Sequence, residues 1–326
     1  MHRRALPALV LGALLAAAMP VAATAQDAWP QRPIRIIVPF PPGGSTDVVT
    51  RLIAEGIGGP LGQPVVVENR GGASGMIGAE VAARAPADGY TLLMGSSGTQ
   101  SINISLFPNV PYDPVRSFAP IILTAVYPLL MVTPPDRRPD TVQAFIAHAK
   151  ASDGRLNYCS IGTGQPSHLA AELFKSMAGV EMTHIPYRGS GPAVTAAMAG
   201  ECDVLFDSAL SSGPQVRGGR LKVLGISTAQ RIPSWPDVPT IAESGLPGYD
   251  AYTWTALYAP AGTPAPVIRR LNAEVGRFLA SPRYRGALEA QGAVPGSGTP
   301  EELASFNAGE IRKWAEVIRA GNIRPD

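Results

Sequence analysis

The chain has 326 residues, 45% of them apolar and 16% charged. That is enough apolar material for a large core and about two domains, and too little charge for a disordered polyampholyte. Its 35 glycines and 33 prolines are dispersed without a period, which excludes collagen-like and low-complexity chains. The formal charge of +2 includes Arg3 and Arg4; removing these two from 27 basic residues leaves 25 against 25 acidic ones. A neutral chain carries no signature of nucleic-acid or anionic-membrane binding.

Residues 1–25 have a short basic start, an apolar run over 5–19 and small Ala23 and Ala25 in the A-x-A relation. They predict a secretory signal cut after Ala25. The apolar run is short for a membrane span, and no later stretch reaches about 18 apolar residues, so a soluble mature chain is expected. Two cysteines follow, Cys159 and Cys202. In an oxidising compartment they either pair or sit as two small buried apolar residues, and alone they cannot build a tetrahedral zinc site.

Past the signal one unit recurs: a β-rich apolar run, a Gly/Ser/Thr/Pro loop, then a helix. Residues 34–40 read as the first strand, 41–46 as its loop and about 47–58 as its helix, with Val48, Val49, Leu52, Ile53 and Ile57 on one face. Strand 64–68, loop 69–75 and helix 76–85 follow, then strand 90–94 running into the loop 95–99. After Pro134-Pro135 the pattern restarts with helix 141–151, strand 156–160, loop 161–166 and a helix to about Ala178. Strand 182–185, helix 190–199, strand 203–206 and strand 221–227 complete it. Beyond Trp254 two helices close the chain. One starts at Thr263-Pro264 and aligns Val267, Leu271, Val275 and Phe278. The other starts at Thr299-Pro300 with a capping box to Glu302 and a stripe of Leu303, Phe306, Trp314 and Ile318.

Near-continuous apolar strands alternating with helices predict an α/β fold of two domains, each a mainly parallel sheet flanked by helices. Domain 1 is expected to hold residues 26–127 and 254–326, and domain 2 residues 128–253 as an insertion. The crossings fall near 126–128 and 250–254, with Trp254 beside the hinge. Ligands of such folds bind at the carboxyl ends of the strands, here in the cleft between the domains.

The catalytic and nucleotide signatures fail one by one. Gly95-Ser96-Ser97-Gly98 misses the last position of a nucleophile elbow, and no Gly-Lys-Ser/Thr ends a Walker loop. Gly162-Thr163-Gly164 opens a helix after a strand, but Ser167 replaces the third glycine of a dinucleotide fingerprint and His184-Ile185 stand where its acid belongs. Metal binding lacks a ligand cluster. His148 is expected at solvent, His168 as a brace for the loop before it rather than a base, and His184 as structural. What is present is a set of Gly/Ser/Thr loops at strand ends: 41–46, 95–99, 160–165 and 207–213. Where such a loop opens a helix, free N–H groups and the helix dipole attract an anion. Two such ends would hold a carboxylate without arginine; the alternative is a guanidinium clamp by Arg70 or Arg188. The rival to a binding protein is a hydrolase using Ser97 or Ser160 with His168 and Asp207.

The run from Trp29-Pro30 through Arg32-Pro33-Ile34-Arg35-Ile36-Ile37-Val38-Pro39-Phe40-Pro41-Pro42-Gly43-Gly44-Ser45-Thr46-Asp47 resembles the opening of the extracytoplasmic solute receptors of tripartite tricarboxylate transporters, the Bug family. The likeness continues through Val65-Val66-Val67-Glu68-Asn69-Arg70, Asp88-Gly89-Tyr90, Pro111-Tyr112-Asp113-Pro114, Ser167-His168-Leu169-Ala170 and His184-Ile185-Pro186-Tyr187-Arg188-Gly189. It goes on through Pro236-Asp237-Val238-Pro239-Thr240, Pro247-Gly248-Tyr249 and Ala259-Pro260-Ala261-Gly262-Thr263-Pro264 to Arg270-Leu271-Asn272, so it spans essentially the whole mature chain. The resemblance implies a two-domain periplasmic-binding-protein (Venus flytrap) fold, a periplasmic location and no enzymatic activity, cofactor, metal or nucleic-acid partner. It implies a monomer that binds a small organic carboxylate and serves the large and small membrane subunits of such a transporter, or else a sensor kinase. Carried over residue by residue, the ligand contacts are Phe40, Pro41, Gly43, Gly44, Ser45 and Thr46 with Ser96, Ser97 and Gly98. From the second domain they are Ser160, Gly162, Thr163, Gly164 and Gln165 with Asp207 and Ser208. Two positions depart from the family's commoner text: Cys159, where a small non-thiol is usual, and Gln165, where serine often stands. The larger amide of Gln165 is expected to alter ligand preference.

Overall fold

The computed structural model describes residue 2 and residues 29–137, 139–290 and 292–325. The predicted export signal and its cleavage after Ala25 lie outside the described residues. In chain order the elements are β1 (Ile34–Val38), α1 (Ser45–Leu61), β2 (Val65–Asn69), α2 (Met76–Ala83), β3 (Thr91–Ser96), a π-helical turn (Gly98–Ile102), α3 (Asn103–Leu106) and β4 (Phe118–Thr133). There follow α4 (Val142–Ala151), β5 (Asn157–Ser160), α5 (Pro166–Ala178), β6 (Thr183–Pro186), α6 (Ser190–Met198), β7 (Val204–Ser208), α7 (Ala209–Arg217) and β8 (Lys222–Ile226). The chain closes with β9 (Tyr252–Pro260), α8 (Ala265–Leu279), α9 (Pro282–Ala290), β10 (Val294–Pro295) and α10 (Pro300–Ala320).

The strands run in the order β2-β1-β3-β9-β4-β7-β5-β6, with β8 and β10 also pairing with β4. Two trios, β2-β1-β3 and β6-β5-β7, are parallel throughout, the α/β architecture expected of strands separated by crossover helices. Antiparallel β9 and β4 join them. β4 pairs with β9 from Phe118 to Pro128, then changes partner and pairs with β7 and β8 from Leu129 onward. This long strand was not read from the sequence, because Pro120 and Pro128 interrupt its apolar run.

β1 buries Ile34, Ile36, Ile37 and Val38 at 0% exposure, while Arg35 reaches partly into solvent and pairs with Glu68. Against it α1 packs Val49, Ile53 and Ile57, spaced by four residues on one face; Val48, expected there too, is exposed. α1 stops at Gly62, whose φ of 71° supplies the left-handed cap that a side chain would resist. The last helix opens with the predicted capping box between Thr299 and Glu302. Its first half packs Leu303 in the cluster of Trp254 and Tyr258, whereas Trp314, Val317 and Ile318 belong to the cluster of Phe174 and Tyr249. α10 therefore spans both cores. At its middle, the buried Glu310 carboxylate accepts the indole N–H of Trp254 and of Trp314, each at 3.0 Å. Lys313 pairs with Glu310, lies over the rings of Tyr252 and Trp314, and donates to the Asp250 carbonyl.

Cys159 and Cys202 form a disulfide with Cα atoms 5.7 Å apart, both ends buried. It resolves the two readings left open by the sequence, and it closes a 43-residue separation across α5, β6 and α6.

Candidate functional site

Sheet, helices and loops enclose a cleft of about 510 Å³. Of the sequence-predicted residues it brings together Phe40, Pro41, Gly44, Ser45, Thr46, Ser96, Ser97, Gly98, Gly164 and Gln165. Gly43, Ser160, Gly162, Thr163, Asp207 and Ser208 do not line it. Ile161, inside the expected loop 160–165, lines it too, and so do Ser74, Asn103, Leu106, Phe107, Gly189 and Thr253, which sequence reasoning did not select. Loops after β1, β3, β5 and β6 thus converge from the carboxyl ends of both parallel trios, the usual ligand position in such sheets.

The helices that open on this cleft share one feature, which α2 after Gly75 and α8 after Pro264 also have. α1, α5 and α6 begin after Gly44, Gln165 and Gly189, and none of these has a capping side-chain hydrogen bond. Away from the cleft, Thr141, Ser208 and Thr299 cap α4, α7 and α10 with their hydroxyls. First-turn N–H groups have no intrahelical acceptor, so those of Ser45 and Thr46 on α1 and of Ser167 on α5 are left to be satisfied from outside the helix. A glycine has no side chain to cap with, and glutamine is too long to serve as Ser, Thr, Asp or Asn do.

Each of the flanking loops is braced from behind. Asp47, one turn into α1, accepts from the Gly43 amide at 2.9 Å, from Arg51 and from Asn69. Burial pushes its carboxyl up, but the hydrogen bonds from Arg51, Gly43 and Asn69 outweigh that and hold it below the usual range. Gly43 needs its φ of 87° for this turn, and its amide is thereby already used. On the opposite side, His168 Nδ1 accepts from the Gly164 amide at 3.0 Å, and Ser160 Oγ receives the Gly162 amide while bonding His184 Nε2 at 2.6 Å. The two imidazoles stack at 3.9 Å, with Tyr158 against His184. Burial, helped by the charges of His184 and Lys175, pushes His168 down to about 3, which keeps Nδ1 free to accept. His168 is the loop brace expected of it.

The hydrolase constellation is not assembled. Ser160 bonds His184 rather than His168, and Ser97 Oγ pairs with Thr253 at 2.8 Å. Asp207, read as the start of a Gly/Ser loop, is buried and accepts from Ser190 (2.5 Å), Ser212 (2.7 Å) and Ser211. Residues 209–217 are helical instead, because Ser208 caps them; the small polar text Ser-Ala-Leu-Ser-Ser-Gly-Pro hid that helix. Ser208 and Asp207 therefore hold the start of α7 and stand back from the cleft. Arg70 and Arg188 are exposed and also lie outside it. Among the described residues no cluster of metal-ligating side chains occurs, and no helix is long and apolar enough to cross a membrane.

A cleft lined by spare backbone donors at the meeting of two parallel strand sets defines a ligand-binding protein of the α/β class. The chain matches the family described as "Tripartite tricarboxylate transporter family receptor" over residues 49–323. Protein BugT of Bordetella pertussis is similar at 40% identity over 311 residues, 95% of each chain. Two solved structures from Rhodopseudomonas palustris are also similar. Rpa4515 with adipate is 36% identical at a TM-score of 0.79, covering 91% of this chain and 100% of that one. MatC with bound malate is 35% identical at a TM-score of 0.74, covering 89% and 100%. This chain belongs to the tripartite tricarboxylate transporter receptor family, and it is a solute-binding receptor, not an enzyme.

Proposed function

We propose that this receptor is exported to the periplasm and holds a small organic carboxylate in the cleft through backbone amides, delivering it to the membrane subunits of a tripartite tricarboxylate transporter. The observation that carries the reading is the convergence of three uncapped helix N-termini on one cleft, from both parallel trios. Solved relatives with adipate and with malate support the ligand class. The ligand-contacting set in this reading is Gly44, Ser45 and Thr46 with Ser96, Ser97 and Gly98, facing the Gln165 side chain and the Ser167 amide at the start of α5, since the Gly164 and Gln165 amides are taken by His168 and Gly162.

The reading includes two lobes, residues 26–127 with 254–326 and residues 128–253, that close on the ligand. The hinge lies where β4 changes partner at Pro128–Leu129 and where β9 begins beside Asp250. Because α10 packs in both cores, it forms a third crossing, and closure turns about its middle at Glu310. A calorimetric screen of mono-, di- and tricarboxylates tests the proposal. At least one acid should bind saturably at one site per chain, and its amide derivative should bind at least about tenfold more weakly, the loss of one charge-assisted hydrogen bond. Binding of neutral sugars in preference to every acid would refute it.

A further inference from the structure

Two cavities meet at one short helix. The cleft of about 510 Å³ and a second groove of about 580 Å³ are both lined by Leu106 and Phe107, at the end of α3. The groove is completed by Pro108, by Ile318 and Arg319 of α10 and by Ile323 and Arg324 beyond it. The buried Ile318 and Ile323 make it apolar, the exposed Arg319 and Arg324 add two guanidiniums, and among the described residues that line it there is no acid. A hydrocarbon chain ending in a carboxylate would find the partners it needs there. Two side chains stand between it and the cleft.

That partition is anchored. Leu106 is buried, and a Cβ added at Gly164 would stand 2.2 Å from its Cδ2, so it closes against the loop after β5. Phe107 is extended at φ −104° and ψ 138°, as the proline after it requires, and its amide bonds the Asn103 carbonyl at 2.9 Å. Asn103 in turn donates to the Ser74 carbonyl at 3.1 Å, and Ser101, in the turn before α3, donates to Asn307 of α10 at 3.0 Å. A ligand chain that outgrows the cleft therefore meets side chains on a fixed backbone, and overpacking them costs affinity. We infer that Leu106 and Phe107 set the upper length of the acid this receptor accepts, by shutting the cleft off from the groove behind them. The inference rests on the reading of the cleft as a carboxylate site and deepens it. Phe107, only half-buried, can be shortened with less harm to the core than Leu106.

The linear dicarboxylates from succinate to sebacate, titrated calorimetrically into the full mature chain and into its Phe107→Ala variant, test it. In the parent protein affinity should reach an optimum and then fall by at least about tenfold for longer acids. In Phe107→Ala the optimum should move to a longer acid, each methylene that enters the groove adding about fourfold, while the shortest acid that binds changes by less than about threefold. A Phe107 that only supports the fold would weaken every length alike. An equal loss across the series, an unmoved optimum, or a parent affinity that keeps rising to sebacate would each overturn the inference and leave the carboxylate reading intact. Failure of the whole series to bind the parent protein would overturn it too, and the carboxylate reading would then be judged by the wider acid screen. If circular dichroism shows that the alanine variant does not fold, Phe107→Leu carries the same test with a smaller shift in the same direction. A crystal structure of the folded variant with its tightest long acid should place the distal carboxylate in the groove beside Ile318 and Arg319. A chain folded back within the cleft would contradict the inference.

Discussion

Gly44→Ser should strengthen the fold and weaken the ligand at once. Gly44 precedes α1 with φ −75° and ψ 166°, nearly the backbone of Thr299, which caps α10 at φ −94° and ψ 166°. A serine therefore fits without strain, and a Cβ added there meets no atom within 4 Å. Its hydroxyl would accept from the amide of Thr46 or Asp47, a cap worth a few tenths of a kcal/mol over glycine and a rise in Tm of about 1 °C. Of these two, the Thr46 amide is one assigned to the ligand. Losing one hydrogen bond to a charged group costs about 1.5–3 kcal/mol, or roughly 10- to 100-fold in Kd. Differential scanning fluorimetry without ligand and calorimetry with the tightest acid read the two effects separately. If Gly44→Ser binds as tightly as the parent protein, the α1 terminus does not hold the carboxylate.

Gly164→Ala should behave differently, losing stability itself: φ is 72° and the new Cβ would stand 2.2 Å from Leu106 Cδ2, so strain and overpacking together cost about 2–5 kcal/mol in urea unfolding. Replacing both Cys159 and Cys202 by alanine should cost about 4 kcal/mol by the loop-entropy relation for a 43-residue separation, read from the shift of the denaturation midpoint. His168 is held near 3 against an ordinary 6.5, so the folded chain binds fewer protons than the unfolded one between those values. Stability from this group is complete above pH 6.5 and is lost as pH falls toward 3, by at most about 1.4 kcal/mol per pH unit. His168→Asn, which keeps an acceptor for the Gly164 amide, should flatten that slope and retain ligand affinity, whereas His168→Phe should lose affinity. Finally, Trp254→Phe should reduce but not abolish a ligand-induced fluorescence change, because Trp314 shares the same Glu310 carboxylate.

The elements that sequence made legible are those whose local chemistry and tertiary setting agree. The strand at Ile34, the helix carrying Ile53 and Ile57, and the capping box at Thr299 are each specified by neighbours in the chain. β4 was missed because its prolines contradict strand propensity and only its long-range partners in β9 and β7 hold it. α7 was missed because its serines favour turns unless a cap and Asp207 recruit them. In the cleft, the loop at Phe40–Thr46 announces itself by Gly-Gly-Ser-Thr before an apolar helix. Leu106, Phe107 and Thr253 carry no such signal, since only the fold brings α3 and the start of β9 beside loops from other elements. Asp207 looked available for the opposite reason: the three serines that occupy it are two of them local and one, Ser190, seventeen residues away.

The account turns on which atoms hold the ligand's charge. A crystal structure with the tightest-binding acid measures this directly. It should place carboxylate oxygens within about 3.2 Å of main-chain nitrogens at the start of α1, among Ser45 and Thr46, and of the Ser167 nitrogen on α5. A carboxylate held by the guanidinium of Arg70 or Arg188, or seated outside the cleft, would contradict it.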